Sequence, residues 1–168
     1  ARLSELLPLV FDTKAALDAA PREFDAAAHH ALARRAAEES LVLLKNEGSL
    51  LPLAAGAKVA VIGDFAKNPR YQGAGSSMVN STQVDVLLDK LINSELNVIG
   101  YQQGFDRHGK PDAALQKSAC ELATQADTVV LCMGLDEIAE SEGLDRSNLR
   151  LAQNQVDLLQ AVAKHQSK

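Results

Sequence analysis

The chain has 168 residues, 46% of them hydrophobic, so it can bury one sizeable core and we expect one main domain with an appendage. Its formal net charge of -5 argues against a broad electrostatic attraction to nucleic acid or to anionic lipid. No run approaches the roughly 20 apolar residues of a membrane span. Two cysteines in apolar patterns are typical of buried thiols rather than of a disulfide. Small-molecule or protein partners fit this composition better.

The amino-terminal part of the chain predicts helices. Residues 1–23 contain Pro8 and Pro21 among mixed apolar and charged residues, which predicts a linker with short helical pieces. Residues 24–46 are rich in alanine and other strong helix formers, which predicts one helix. Residues 50–53 (Leu-Leu-Pro-Leu) then form an extended connection, because the residue before proline avoids the helical region.

The rest of the chain alternates between predicted strands and predicted helices. Apolar runs predict strands, and apolar residues at helical spacing predict helices. Strands that are apolar throughout indicate a mostly parallel sheet with helices on both faces, an open α/β sandwich. The predicted strands are 58–63, 97–101 and 128–135, and the predicted helices are 84–94, 111–126 and 151–165.

Three strands make a thin sheet, which would leave an edge unpaired. We therefore expect the polypeptide to continue beyond Lys168, so that residues 24–168 are a partial α/β sandwich domain.

Two long loops, residues 64–80 and 136–148, leave predicted strands at their carboxyl ends. In open α/β sheets, ligands bind in the crevice outside those ends. The first loop contains residues 73–77 (Gly-Ala-Gly-Ser-Ser), but it lacks the Lys-Ser/Thr end of a phosphate-binding loop. We favour a tight structural turn or a sugar-facing loop over a cofactor site.

The second loop, which we call the acidic loop, concentrates carboxylates. Two interpretations stay open: a solvated surface run, or groups for general acid/base chemistry, since a carboxyl that neighbouring domains partly bury has a raised pKa. Metal binding is a weak option, because no histidine accompanies these carboxylates and the spacing of a calcium loop is absent. Arg146 could pair with Asp145 to brace the loop. The acidic residues are Asp136, Glu137, Glu140, Glu142 and Asp145.

The four histidines fit surface or helix-cap roles, because none has the spacing of a metal site. No Gly-x-Ser-x-Gly nucleophile elbow is present.

Several segments together resemble the second domain of glycoside hydrolase family 3, the β-glucosidase family. Any one of them is a weak match, whereas the ordered set is specific. In chain order they are residues 38–48, 51–53, 58–63, 73–77 and 140–146 (Glu-Ser-Glu-Gly-Leu-Asp-Arg).

The resemblance implies a retaining hydrolysis of β-glucosides or oligosaccharides without metal or organic cofactor. In this family a (β/α)8 barrel supplies an aspartate nucleophile, and a loop of the sandwich domain supplies the acid/base glutamate. That glutamate is implied to be Glu142, with Glu140 as the alternative. Substrate contacts are expected from Gly75, Ser76, Ser77, Asp145 and Arg146.

The barrel is absent from these 168 residues, so we expect the chain alone to lack glycosidase activity. Two other functions remain open: a free-standing small-ligand-binding α/β module, and a structural accessory domain with a solvated acidic loop.

Overall fold

The computed structural model describes residues 2–20 and 23–166, and its internal contacts divide the chain into two compact units. The first unit is Ala1–Lys45 and the second is Asn46–Lys168. This division falls later than the predicted boundary between residues 23 and 24.

The first unit contains two helices without buried residues, α1 (Arg2–Asp18) and α2 (Ala26–Glu39). Helix α1 is one helix of 17 residues rather than the predicted short pieces, and it continues through Pro8. Helix α2 begins at the cap Asp25, whose carboxylate accepts the Ala28 amide at 2.9 Å.

Helix α2 ends well before the predicted residue 46. The hydroxyl of Ser40 donates to the Ala36 carbonyl at 2.7 Å. A serine hydroxyl that bonds back to the helix in this way competes with continuation of the backbone ladder. The helix therefore stops at Glu39, and residues 41–46 are irregular.

The second unit is built on a parallel sheet of three strands in the order β2-β1-β3. The strands are β1 (Lys58–Ile62), β2 (Asn97–Gln102) and β3 (Thr128–Leu131). Helices α3 (Leu87–Ile92) and α4 (Ala113–Ala123) connect them, and α5 (Gln153–His165) follows β3. The predicted α/β class is confirmed.

The central strand β1 has buried side chains on both faces of the sheet, because successive side chains of a strand point to opposite sides. Ile62 packs with Phe105 and with residues of α4 and α5. Val59 and Val61 pack on the other face, with Leu88 of α3. Helices thus cover both faces, which explains the continuous apolar run in β1.

Strand β3 ends at Leu131, although the apolar run continues to residue 135. The side chain of Gln155 forms hydrogen bonds with both backbone groups of Gly134, at 3.0 and 2.8 Å. Those groups are therefore bound by α5 rather than by a neighbouring strand.

The turn after β1 requires glycine. Gly63 has φ +120°, and a Cβ there would lie 2.1 Å from the Cys132 carbonyl oxygen. The loops that follow β1 and β3 consequently leave the sheet in close contact. None of the described helices is both long and apolar enough to span a membrane.

Candidate functional site

The glycine-rich loop and the acidic loop meet at the carboxyl edge of the sheet, as the sequence predicts. Ala74 and Ser141 form an isolated parallel β-bridge. Residues Gly75–Ser77 form a short 3-10 turn beside it. Gly75 has φ +86°, and a Cβ there would lie 3.3 Å from a carboxylate oxygen of Glu142. The two loops therefore touch where the predicted site residues lie.

Glu142 lies on the surface of the second unit and is bound by Ser76. Its Oε2 accepts hydrogen bonds from the Ser76 hydroxyl and from the Ser76 amide, the latter at 3.2 Å. These hydrogen bonds hold the pKa of Glu142 below its ordinary value. In the described part of the chain, both donors to this carboxylate belong to Ser76 and are uncharged.

Glu140 has a different environment. Its Oε1 lies 2.9 Å from Nε of Arg146, and both side chains are 34% exposed. Arg146 thus braces the acidic loop, but its partner is Glu140 rather than the predicted Asp145. The turn closed by the Leu144 amide and the Ser141 carbonyl folds the chain back, which brings Glu140 and Arg146 together.

Asp145 is exposed. With Arg146, it lines an open cleft of about 400 Å³ at the end of the acidic loop. The hydroxyl of Ser77 donates to the Ala74 carbonyl at 3.5 Å, so it supports the turn rather than Glu142.

The base of the acidic loop is held by Arg107, which follows β2. Nε of Arg107 donates to Glu137 at 3.0 Å, and Nη2 donates to the other oxygen of the same carboxylate. Nη1 donates to Asp64 at 2.5 Å and to the Asn68 carbonyl at 2.8 Å. The guanidinium also lies 4.5 Å from the ring centroid of Phe65.

These contacts shift the pKa values of both partners of the ion pair. The hydrogen bonds with Glu137 raise the pKa of Arg107, with a further contribution from Asp64. The same hydrogen bonds from Arg107 lower the pKa of Glu137. Both groups are therefore held in their charged forms.

His108 adds a second contact at the base of the acidic loop. Its Nδ1 lies 2.9 Å from Oδ2 of Asp136, whose Oδ1 accepts the Ala139 amide at 2.8 Å. Burial acts to raise the pKa of Asp136, but these hydrogen bonds outweigh it and leave the pKa lowered. The side chain of His108 is exposed, as the predicted surface role requires, and it also supports the acidic loop through Asp136.

No motif in the sequence singles out Arg107 and Asp64 as functional residues. Asp64 lies two residues after the end of β1 and Arg107 lies five residues after the end of β2, and a position in the loops at the carboxyl edge of the sheet was the available signal. Within residues 2–20 and 23–166, no three His, Cys, Asp or Glu side chains are grouped to hold a metal ion.

The sequence model of the glycosyl hydrolase family 3 C-terminal domain matches residues 41–168. The chain belongs to glycoside hydrolase family 3. The match includes the whole sheet and both loops, so the expected family is confirmed on the part of the chain that carries the candidate site.

Two proteins named as glycosidases are similar to most of this chain. The chain is 42% identical to an exo-α-(1→6)-L-arabinopyranosidase of Bifidobacterium breve, over 94% of this chain and 22% of that protein. It is 40% identical to thermostable β-glucosidase B of Acetivibrio thermocellus, over 86% of this chain and 20% of that protein.

A solved family 3 structure is also similar. The crystal structure of a Bifidobacterium adolescentis GH3 β-glucosidase aligns with a TM-score of 0.85 and 44% identity, over 95% of this chain and 23% of that one. The chain thus spans about a fifth of the length of these relatives.

Proposed function

We propose that this family 3 domain supplies Glu142 as the acid/base residue in the retaining hydrolysis of β-glycosides. The supporting observation is the contrast between two neighbouring glutamates. The Glu140 carboxylate is occupied by the guanidinium of Arg146, whereas Glu142 is exposed and is bound by the neutral donors of Ser76. Of the two, Glu142 has the carboxyl that can reach a substrate and exchange a proton.

The proposed reaction has two steps. A carboxylate nucleophile from a (β/α)8 barrel attacks the anomeric carbon while Glu142 gives its proton to the departing glycosidic oxygen. Glu142 then removes a proton from the water that hydrolyses the glycosyl-enzyme. The two carboxyl groups of a retaining site lie about 5–5.5 Å apart, so the acidic loop would have to reach over the barrel.

In the second unit Glu142 is exposed and its pKa is lowered by Ser76, which is unfavourable for a general acid. A docked barrel would bury this carboxyl and place a second carboxylate near it, and both effects raise a pKa. The barrel would therefore supply the nucleophile and would also raise the pKa of Glu142. For this reason we expect the chain alone to be inactive.

We propose terminal β-linked glucosyl residues as the substrate, because two of the similar proteins are named β-glucosidases. Ser76, Gly75 and Ser77 are proposed to line the sugar site from the glycine-rich loop. Asp145 and Arg146 are proposed to line it from the acidic loop.

A hybrid enzyme tests this proposal. The matching segment of the Bifidobacterium adolescentis β-glucosidase would be replaced by this chain, with which it shares 44% identity. We expect the folded hybrid to hydrolyse p-nitrophenyl β-glucoside and the chain alone not to do so. A hybrid that folds, as judged by circular dichroism and cooperative melting, but has no activity would contradict the proposal.

A further inference from the structure

The three loops that leave the sheet are joined by one side chain. Arg107 follows β2, Asp64 and Asn68 follow β1, and Glu137 follows β3. The contacts bridge 30 to 43 positions of sequence, so the guanidinium connects segments that are otherwise remote in the chain.

The pairing with Asp64 has a structural reason. The side chain of Asp64 is only 7% exposed, and a buried carboxylate without a charged or hydrogen-bonding partner is strongly unfavourable. One oxygen accepts a hydrogen bond from the side-chain amide of Asn68 (Nδ2) at 2.9 Å, and the other accepts a hydrogen bond from Nη1 of Arg107 at 2.5 Å. These contacts satisfy Asp64 without any contribution from the acidic loop.

The other edge of the same guanidinium binds Glu137 rather than Asp64. Nε and Nη2 form the two-point hydrogen-bonded contact with Glu137, whose side chain is 42% exposed. A half-exposed glutamate does not need this partner in order to be solvated. The contact instead fixes the position of the acidic loop at its first turn.

Arg107 binds Glu137 and Asp64 at the bases of the acidic and glycine-rich loops, and the tips of these loops meet. Glu137 precedes Glu142 by five residues in the acidic loop, and Asp64 begins the loop that carries Ser76. The tips are joined by the hydrogen bonds between Ser76 and Glu142 and by the bridge between Ala74 and Ser141. A movement at the bases would therefore change where the Glu142 carboxyl lies.

We infer that Arg107 is a positioning residue for the Glu142 carboxyl, because it locks the bases of the glycine-rich and acidic loops together through Asp64 and Glu137. The catalytic part of this inference rests on the proposed function. The positional part concerns only the second unit and is tested separately.

The first test measures amide hydrogen exchange in the 168-residue chain and in its Glu137→Gln variant. This variant keeps the pairing of Arg107 with Asp64 and loses the charge-assisted contact with the acidic loop. We expect about tenfold faster exchange of residues 138–144 and 74–78, with β1 unchanged. The matched control is Glu39→Gln, which removes an exposed partner of Arg35 in α2 and should alter neither loop.

Unchanged exchange in both loops would overturn the inference. An equal acceleration throughout the second unit, β1 included, would also overturn it, because Glu137 would then contribute only to global stability.

The second test uses the hybrid enzyme and two substrates. Proton donation matters for a poor leaving group such as the glucose of cellobiose, and matters little for a dinitrophenolate. Glu137→Gln should lower kcat/KM for cellobiose by about 10²-fold, the order of loss caused by a misplacement of 1 Å, and should largely spare dinitrophenyl β-glucoside.

An equal loss on both substrates would show a structural role alone and would contradict the inference. If the folded parent hybrid is inactive, the proposed function fails, and the exchange measurement still decides whether Arg107 positions the loops.

Discussion

The base and the tip of the acidic loop hold their carboxylates in different ways. At the base, Glu137 faces the guanidinium of Arg107, and Asp136 faces the imidazole of His108. At the tip, Glu142 faces the hydroxyl and amide of Ser76. A carboxylate held by the two-point contact of a guanidinium is suited to holding a loop in place. One held by neutral donors remains able to take up and release a proton, so the difference separates support from chemistry within one loop.

Removal of the cation at the base should have the largest effect on stability. Arg107→Met leaves Asp64, with its 7% exposed side chain, without its charged partner. We expect the free energy of unfolding, measured by urea denaturation, to fall by about 3–5 kcal/mol. Arg35→Met is the matched control, because its i,i+4 pair with Glu39 is exposed and should contribute less than about 0.5 kcal/mol. If both variants lost the same free energy of unfolding, the pairing of Arg107 with Asp64 would contribute no more than the exposed pairing of Arg35 with Glu39.

A change at the tip should have a smaller effect that is specific to the loops. Gly75→Ala introduces a Cβ at φ +86°, which costs about 1–2 kcal/mol of unfolding free energy. Gly56→Ala has a similar φ of +77° with nothing within 4 Å, so it reproduces the backbone strain alone. Only Gly75→Ala should also accelerate hydrogen exchange at the Ser76 amide, because its Cβ contacts Glu142. Similar exchange in both variants would mean that this contact does not matter.

Acidification should weaken the contacts that Asp136 and Glu137 form at the base of the acidic loop. The pKa values of Asp136 and Glu137 are lowered in the folded chain, so the unfolded chain binds more protons as the pH falls. The free energy of unfolding should therefore decrease from about pH 5 to about pH 3. Glu137→Gln should flatten part of this dependence, whereas Glu39→Gln should leave it as it is. A slope that is the same in all three proteins would exclude a contribution from Glu137.

The smallest expected effect is a shift in the titration of Glu142. Ser76→Ala removes the hydroxyl donor, so the pKa of Glu142 should rise toward its ordinary value, as measured by carboxyl carbon NMR. Ser77→Ala is the matched control, because its hydroxyl supports the Ala74 carbonyl instead. If both variants titrate like the parent chain, the Ser76 hydroxyl does not lower the pKa of Glu142.

The fold was predictable from the sequence where one physical signal dominates. The apolar run of β1 indicated a strand covered on both faces, and the alternation with helices indicated a parallel sheet. Helix α2 was overextended in the prediction because residues 41–45 (Leu-Val-Leu-Leu-Lys) include strong helix formers, whereas the Ser40 hydroxyl bonds back to Ala36 at the helix end. Strand β3 was overextended because the binding of Gly134 by Gln155 is a tertiary contact.

The meeting of the two loops was also predictable, since both leave parallel strands at the same edge. The partners of the charged side chains could not be predicted from the sequence. Glu140 rather than Asp145 pairs with Arg146 because of a local turn. Arg107 reaches Asp64 across 43 positions, and no spacing in the sequence encodes that contact.

The identity of the acid/base residue is decided by comparing Glu142→Gln with Glu140→Gln in the hybrid enzyme. We predict that Glu142→Gln lowers kcat/KM for cellobiose by about 10²- to 10⁴-fold and spares bond cleavage in dinitrophenyl β-glucoside. Azide should then rescue turnover and yield β-glucosyl azide, because it attacks the glycosyl-enzyme without needing a general base. If Glu140→Gln gave this pattern and Glu142→Gln did not, Glu140 would be the acid/base residue and the assignment of Glu142 would be wrong.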